Sequence, residues 1–363
     1  MARIACHAVG PRALHCLVAL TLSLGVDALR LQEESSRTLF GNASSASLPE
    51  NATNTSQVNC APEFWMLTFG KGKGFELAQK RLAGEARRTK LFSQISHLDD
   101  FPDFIKDDPK WARYLQIAKG AGYWFWKAPL ASHLMKYHMR EGDVLVYVDS
   151  GSELGDMNDF REVAQALCNH DLVAYALTLK EGMFTKGDLF AEFGAEPNDK
   201  YYGSPQLLAT YFAIKNTAAS RAFVDQWERL AANIRLIGDG PSKVANHPDF
   251  KEHRRDQSIF SMLVKANQPD FAPEVVRKFP NATGFQRHPV HGVEGLRPLI
   301  MQDPGYPQDP AHKWIAASRN NKPYRRYETN SSSTFTSADR DAIRSSLTSC
   351  REPSSSCSPE SQA

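Results

Sequence analysis

The strongest constraint in this chain is the run Val144-Leu145-Val146-Tyr147-Val148, five apolar residues with no polar alternation, stopping abruptly at Asp149-Ser150-Gly151. A strand with one face in water alternates apolar and polar side chains; an unbroken apolar run is what a strand covered on both faces requires. The segments around it repeat the pattern. Phe64 to Phe69 is a short run of β-prone residues closed by Gly70-Lys71-Gly72-Lys73-Gly74, followed by Phe75, Ala78, Leu82 and Ala86 at helical spacing. A helix is expected from Asn158 or Asp159, with Phe160, Val163, Ala164 and Leu167 on one face, and Leu172 to Leu177 returns as a strand. Leu207 to Ile214 reads as a further strand, Ala218 to Ile234 as a helix, and another helix begins near Asp256. Strands alternating with helices predict an α/β fold: a single Rossmann-type, mostly parallel sheet flanked by helices.

In such sheets ligands bind outside the carboxyl ends of the strands, so attention falls on Asp149. Asp149-Ser150-Gly151-Ser152 has three readings. Asp, Ser and Gly are turn formers in any protein. An apolar run into Asp-Ser-Gly-Ser also matches the active-site loop of aspartic proteases, whose chemistry needs two carboxylates sharing a proton. No second Asp-Thr-Gly or Asp-Ser-Gly occurs in the chain, and the helical segments around Asp149 oppose that reading. The third reading is a strand-end carboxylate that helps hold a hard divalent cation on a sugar-nucleotide diphosphate. The glycine turn at 70–74 lacks the spacing of a Walker loop or of the dinucleotide fingerprint, and is as consistent with a flexible basic turn as with a phosphate cradle.

Three segments agree with the third reading. Gly122-Tyr123-Trp124-Phe125-Trp126-Lys127-Ala128-Pro129-Leu130 lies upstream of Asp149. Gly142-Asp143 leads into the strand that ends at Asp149-Ser150-Gly151-Ser152-Glu153. His253-Arg254-Arg255-Asp256-Gln257-Ser258-Ile259 follows later. Together, over roughly Phe64 to His291, they resemble the GT-A type glycosyltransferases of the nucleotide-diphospho-sugar transferase superfamily, with a W-x-W-K-P-like segment, a D-[AS]-G strand end and a D-Q-S helix start. Here Ala128 stands between Lys127 and Pro129, and Gly151 stands where a strict Asp-x-Asp has its second acid. The resemblance implies a GT-A-like fold. It also implies glycosyl transfer from a nucleotide-sugar donor to a glycan, protein or lipid acceptor. Lys127, Trp126 and Asp149 fall on the donor side, and Asp256 is the acceptor-side catalytic carboxylate. Mn²⁺ or Mg²⁺ is expected at Asp149, with Glu153, His288 and His291 as further ligands. Plainer readings exist for each residue: Asp256 as a helix N-cap, Trp126 as core, the histidines as surface groups, Lys127 as a surface lysine. The alternative function is a non-catalytic, secreted glycan-binding or pseudo-transferase protein.

The flanks carry location rather than fold. Arg3 and Arg12 bracket the approach to an apolar run from Ala13 to Val26, about 14 residues against the ~20 a membrane span needs, which predicts a signal peptide or short signal-anchor over residues 1–28. Residues 29–59 are a Ser/Asn/Thr-rich stem unable to bury a core. The sequons at Asn42, Asn51, Asn54, Asn281 and Asn330 point to the secretory pathway, in the Golgi or ER lumen or outside the cell. The body is then 60–326, and 327–363 is expected to be a flexible Ser-rich tail. Beyond the targeting segment four cysteines remain, and a local Cys350–Cys357 loop is the simplest of the pairings they allow. With 43 Lys and Arg against 41 Asp and Glu there is no broad basic field, so nucleic acid is not expected as a partner, and membrane contact is expected only through an N-terminal anchor.

Overall fold

The computed structural model describes residues 62–155, 160–195, 200–303, 315–317 and 336–348. The targeting segment, the stem, Cys60, Cys350, Cys357, four of the sequons and the cap at Asn158 or Asp159 lie outside the described residues. The strands are β1 (Phe64–Phe69), β2 (Phe92–Leu98), β3 (Val144–Val148), β4 (Ser152–Leu154), β5 (Leu172–Lys180), β6 (Pro205–Leu207), β7 (Tyr211–Lys215), β8 (Asp270–Phe271), β9 (Pro298–Gln302) and β10 (Ile315–Ala317); β1, β3 and β5 stand where the sequence places them, and β2, β4, β8, β9 and β10 join them unannounced by it. One sheet runs in the order β2-β1-β3-β7-β5-β9-β8, with β6 pairing β5, while β10 pairs β4 separately. The pairs β1/β2, β1/β3, β5/β9 and β8/β9 are parallel, and β7 and β6 alone run against them. The fold is therefore mixed α/β with a mostly parallel sheet, as the sequence pattern requires.

The five apolar residues of β3 are all buried because both faces of the sheet are covered. One face packs Val144, Val146 and Val148 with Met66, Val173, Tyr175 and Tyr211 against the helices α1 (Lys73–Thr89) and α3 (Phe160–Asn169). The opposite face carries Tyr147 and Phe212, whose rings stack at 5.3 Å, and Phe212 in turn stacks on Phe260. There lie α2 (Lys127–Tyr137), α5 (Ala218–Ala231) and α6 (Arg255–Lys265). The short helix α4 (Gly187–Glu192) lies between β5 and β6 in the chain.

Two elements differ from the reading of the sequence. Leu207 to Ile214 is two strands, β6 and β7, separated at Leu208–Thr210: β6 pairs β5 alone, whereas β7 lies between β5 and β3. The tail is also not uniformly an appendage. A helix α7 (Ser337–Thr348) buries Ile343 and Leu347 in the α1/α3 core, since these two apolar positions lie four apart on one helical face. Cys168 on α3 is disulfide-bonded, with a partner outside the described residues, and its sulfur approaches the Ser346 carbonyl.

The glycine turn after β1 is fixed by geometry. A Cβ on Gly70 would meet the Phe75 carbonyl oxygen at 2.5 Å, and Gly72 adopts φ 98 while its carbonyl accepts the first helical hydrogen bonds of α1. The turn of helix Asp103–Lys106 groups apart from the rest by its contacts; it opens after Pro102 and pairs Asp103 with Lys106 at 3.9 Å. Among the described residues no helix is long and apolar enough to cross a membrane.

Candidate active site

Side chains alternate along a strand, so Asp149, two residues beyond Tyr147, shares its face of the sheet. The Tyr147 hydroxyl donates to Asp149 Oδ1 at 2.6 Å. The backbone N–H of Asp149 donates to the Thr210 carbonyl at 2.8 Å, which ties the end of β3 to the start of β7. Lys127 enters from the first turn of α2. Its Nζ lies 3.1 Å from Asp149 Oδ1 and 2.9 Å from Asp256 Oδ2, and donates to the Ala209 carbonyl at 2.8 Å. Asp256 sits in the first turn of α6, directly after Arg255, which adopts φ 53. The three segments quoted from the sequence thus meet at one ammonium: the W-F-W-K stretch supplies Lys127, the strand end Asp149, and the D-Q-S helix Asp256.

The three groups differ in exposure, and exposure governs their chemistry. Asp149 is 29% exposed, Asp256 7% and Lys127 3%. Burial raises the Asp256 carboxyl against the pull of Lys127, with the Asp149 charge adding to the rise, to about 6. Burial disfavours the Lys127 ammonium, but the two carboxylates outweigh it and hold its pKa above the ordinary lysine value. Burial, then the Asp149 carboxylate, pushes the Tyr147 phenol well above its usual range, so it stays a hydrogen-bond donor. Two carboxylates around one ammonium leave an excess negative charge at the carboxyl edge of the sheet.

The remaining residues read from the sequence fall elsewhere. Trp126 is core: its ring packs 4.3 Å from Phe69 and its indole N–H donates to the Gly120 carbonyl at 3.2 Å. Trp124, in a left-handed conformation at φ 62, is the more exposed of the two tryptophans in this segment, and the Arg255 guanidinium lies over it at 5.7 Å. Glu153 lies on β4 opposite Ala316 of β10. His288 and His291 stack on each other at 4.9 Å between α4 and α5. His291 accepts from the Gln226 amide at Nδ1 and donates from Nε2 to the Glu192 carbonyl at 3.0 Å, so both ring nitrogens are engaged. Burial lowers the pKa of both histidines. Among the described residues no group of three or more His, Cys, Asp or Glu side chains converges so as to hold a metal ion. Asp149, Glu153, His288 and His291 therefore do not fit one ion, and Lys127 occupies the point on which Asp149 and Asp256 converge.

Two contributors were not singled out from the sequence. Tyr147 was legible in principle, since a tyrosine two positions before a strand-end acid must share its face. The Ala209 carbonyl was not, because a backbone acceptor in a loop leaves no trace in residue type.

No protein-family model matches the chain, and no curated protein does. Among solved structures it is similar to mouse xyloside xylosyltransferase 1 in its apo form, at 10% identity and TM-score 0.33 over 72% of this chain and 99% of that chain. It is also similar to a glycosyltransferase involved in glycosylation of the major capsid of PBCV-1, at 9% identity and TM-score 0.26 over 61% and 90% of the two chains. A third is galactosyltransferase LgtC with donor and acceptor sugar analogs, at 13% identity and TM-score 0.29 over 62% and 85%. Likenesses this distant carry no weight for chemistry, which rests on the geometry of Lys127, Asp149 and Asp256.

Proposed function

We propose that this chain is a glycosyltransferase of the secretory pathway, moving a sugar from a nucleotide-diphosphosugar to a hydroxyl of a glycan, protein or lipid. The observation that carries this reading is the convergence of Lys127, Asp149 and Asp256, which come from the three segments that resemble the GT-A superfamily. In this reading Asp149, the more exposed acid, accepts hydrogen bonds from ligand hydroxyls. Asp256, whose carboxyl burial raises to about 6, takes the proton of the acceptor hydroxyl. The acceptor oxygen then bonds to the anomeric carbon as the bond from that carbon to the diphosphate breaks, its electron pair leaving with the nucleoside diphosphate. Lys127 positions the two carboxylates; its ammonium donates to the Ala209 carbonyl and lies at ion-pair distance from Asp149 and Asp256, so it is a positioning group rather than a direct phosphate ligand. A divalent ion, were one bound, would supply Lewis acidity at the leaving diphosphate, but no step here is routed through it.

Two features support a lumenal or secreted setting: Cys168 is disulfide-bonded, and the sequon Asn281-Ala282-Thr283 stands at the surface with Asn281 and Thr283 exposed. The test is a screen of nucleotide-sugars with the secreted full-length protein, reading donor consumption and the melting temperature together. A donor at a hundred times its dissociation constant stabilises by about 2.7 kcal/mol. Turnover abolished in Asp256→Asn is expected. Glycan binding with no turnover of any donor would instead make the protein a lectin-like binder.

A further inference from the structure

The residues at the carboxyl edge disagree with the cation that the sequence resemblance implies. A divalent metal draws carboxylate oxygens to within about 2.0–2.6 Å of one point. The point on which Asp149 Oδ1 and Asp256 Oδ2 converge is Lys127 Nζ, at 3.1 and 2.9 Å. The ammonium is anchored there. Its third partner is the Ala209 carbonyl at 2.8 Å, in the loop between β6 and β7, and its side chain is 3% exposed, rising from the first turn of α2. It is therefore no surface arm that swings aside for an incoming ion. An ion on the same carboxylate oxygens would sit at close range against a fixed positive charge that is itself only 3% exposed, so water screens the repulsion poorly on the ammonium's side. Asp149 Oδ1 also accepts from the Tyr147 hydroxyl, and the other sequence-suggested ligands, Glu153, His288 and His291, make no cluster with it among the described residues.

We propose that the Lys127 ammonium is itself the cation of this site, so that Asp149 and Asp256 share a lysine instead of a divalent metal and the site works without one. This rests on the glycosyl-transfer reading only for the identity of the ligand. The claim about the ammonium stands on the geometry alone.

The test titrates Mn²⁺ alone into the full-length protein, following free Mn²⁺ by its paramagnetic resonance signal. Wild type is expected to show no site that depends on Asp149. Lys127→Met leaves two carboxylates facing each other with no counter-ion, and cation affinity rises with ligand charge, so this variant is expected to gain Mn²⁺ affinity by at least about tenfold. Asp149→Asn placed on Lys127→Met is expected to remove the gain. One Mn²⁺ bound by wild type and lost in Asp149→Asn overturns the proposal, as does a folded Lys127→Met with no gain. The wild-type and Asp149→Asn titrations decide the matter even where Lys127→Met fails to fold. A second arm titrates UDP, GDP and CDP in EDTA and again with Mn²⁺. Binding that survives EDTA supports the proposal, and binding that needs Mn²⁺ and is lost in Asp149→Asn overturns it. Absence of binding to any of the three nucleotides under both conditions counts against the glycosyl-transfer reading, while the Mn²⁺ titration still decides the role of Lys127.

Discussion

Two of the buried lysines, Lys265 and Lys127, are built to different ends. Lys265 on α6 faces Glu181, and both side chains are 0% exposed. Glu181 also receives the hydroxyls of Thr185 and Ser261 and the amide of Gln206, so one charge meets one opposite charge and the surrounding polar groups are matched. Lys127 faces two carboxylates, one of them 29% exposed at the edge of the sheet. Burial lowers the Lys265 pKa despite Glu181, whereas the second acid holds that of Lys127 above the ordinary lysine value. A sealed, neutral pair serves architecture; an open cluster with a surplus carboxylate is free to accept a proton or a ligand hydroxyl. The number of acids, more than the burial of the base, separates structure from chemistry here.

That contrast is most sharply tested at the sealed pair. Lys265→Met leaves Glu181 charged with no counter-ion, a change that costs about 3–5 kcal/mol. Urea unfolding should show it as a lowered midpoint with unchanged slope. Adding Glu181→Gln should recover part of the loss by removing the stranded charge. Lys127→Met should cost less, roughly 1–3 kcal/mol, because Asp149, 29% exposed, reaches water. Equal losses at the two lysines would collapse the distinction between them.

At the open cluster the effect should appear in rate. Asp256→Asn is expected to lower transfer about 10²-fold or more, while the melting temperature holds or rises because a buried charge is gone. The pH dependence follows from the same carboxyl, raised from 3.8 to about 6 by burial. A base that must be ionised gives a rate climbing about tenfold per pH unit below 6 and levelling above it. Stability runs the other way. Between about pH 4 and 6 the native state holds a proton that the unfolded chain has released, so stability falls as pH rises through that window and is regained on acidification. Asp256→Asn should flatten both curves; a wild-type rate that is flat from pH 5 to 8 excludes Asp256 as the base.

How much of this could be read from the sequence depends on where each signal is stored. β1, β3 and the helix at Phe160 were legible because burial on both faces or on one stripe writes directly into residue type. Asp149, Lys127 and Asp256 were legible as separate motifs, but their meeting point was not, since residues 127, 149 and 256 are joined only by the sheet topology. β2, with Ser93, Gln94, Ser96 and His97, was hidden by its polarity, and only pairing with β1 makes it a strand. The reversal at β7 was hidden because local pattern carries no strand direction. The tail misled because its Ser-rich composition masks Ile343 and Leu347, two apolar side chains that suffice to dock α7.

The smallest expected effect probes how Asp149 is held. Tyr147→Phe removes one hydroxyl that donates to Asp149 Oδ1 at 2.6 Å, leaving the ring to stack on Phe212 as before. The packing is untouched, so stability should change by only about 0.5–1.5 kcal/mol, the net worth of one hydrogen bond. The carboxylate, however, loses the donor that fixes its orientation, leaving the Lys127 ion pair to hold it. Donor affinity should then weaken by a few fold, roughly tenfold at most for about 1.4 kcal/mol, with the pH midpoint set by Asp256 unmoved. A shift of that midpoint in Tyr147→Phe would mean that the two acids titrate as one unit, and that the open cluster is as tightly coupled as the sealed pair it is contrasted with.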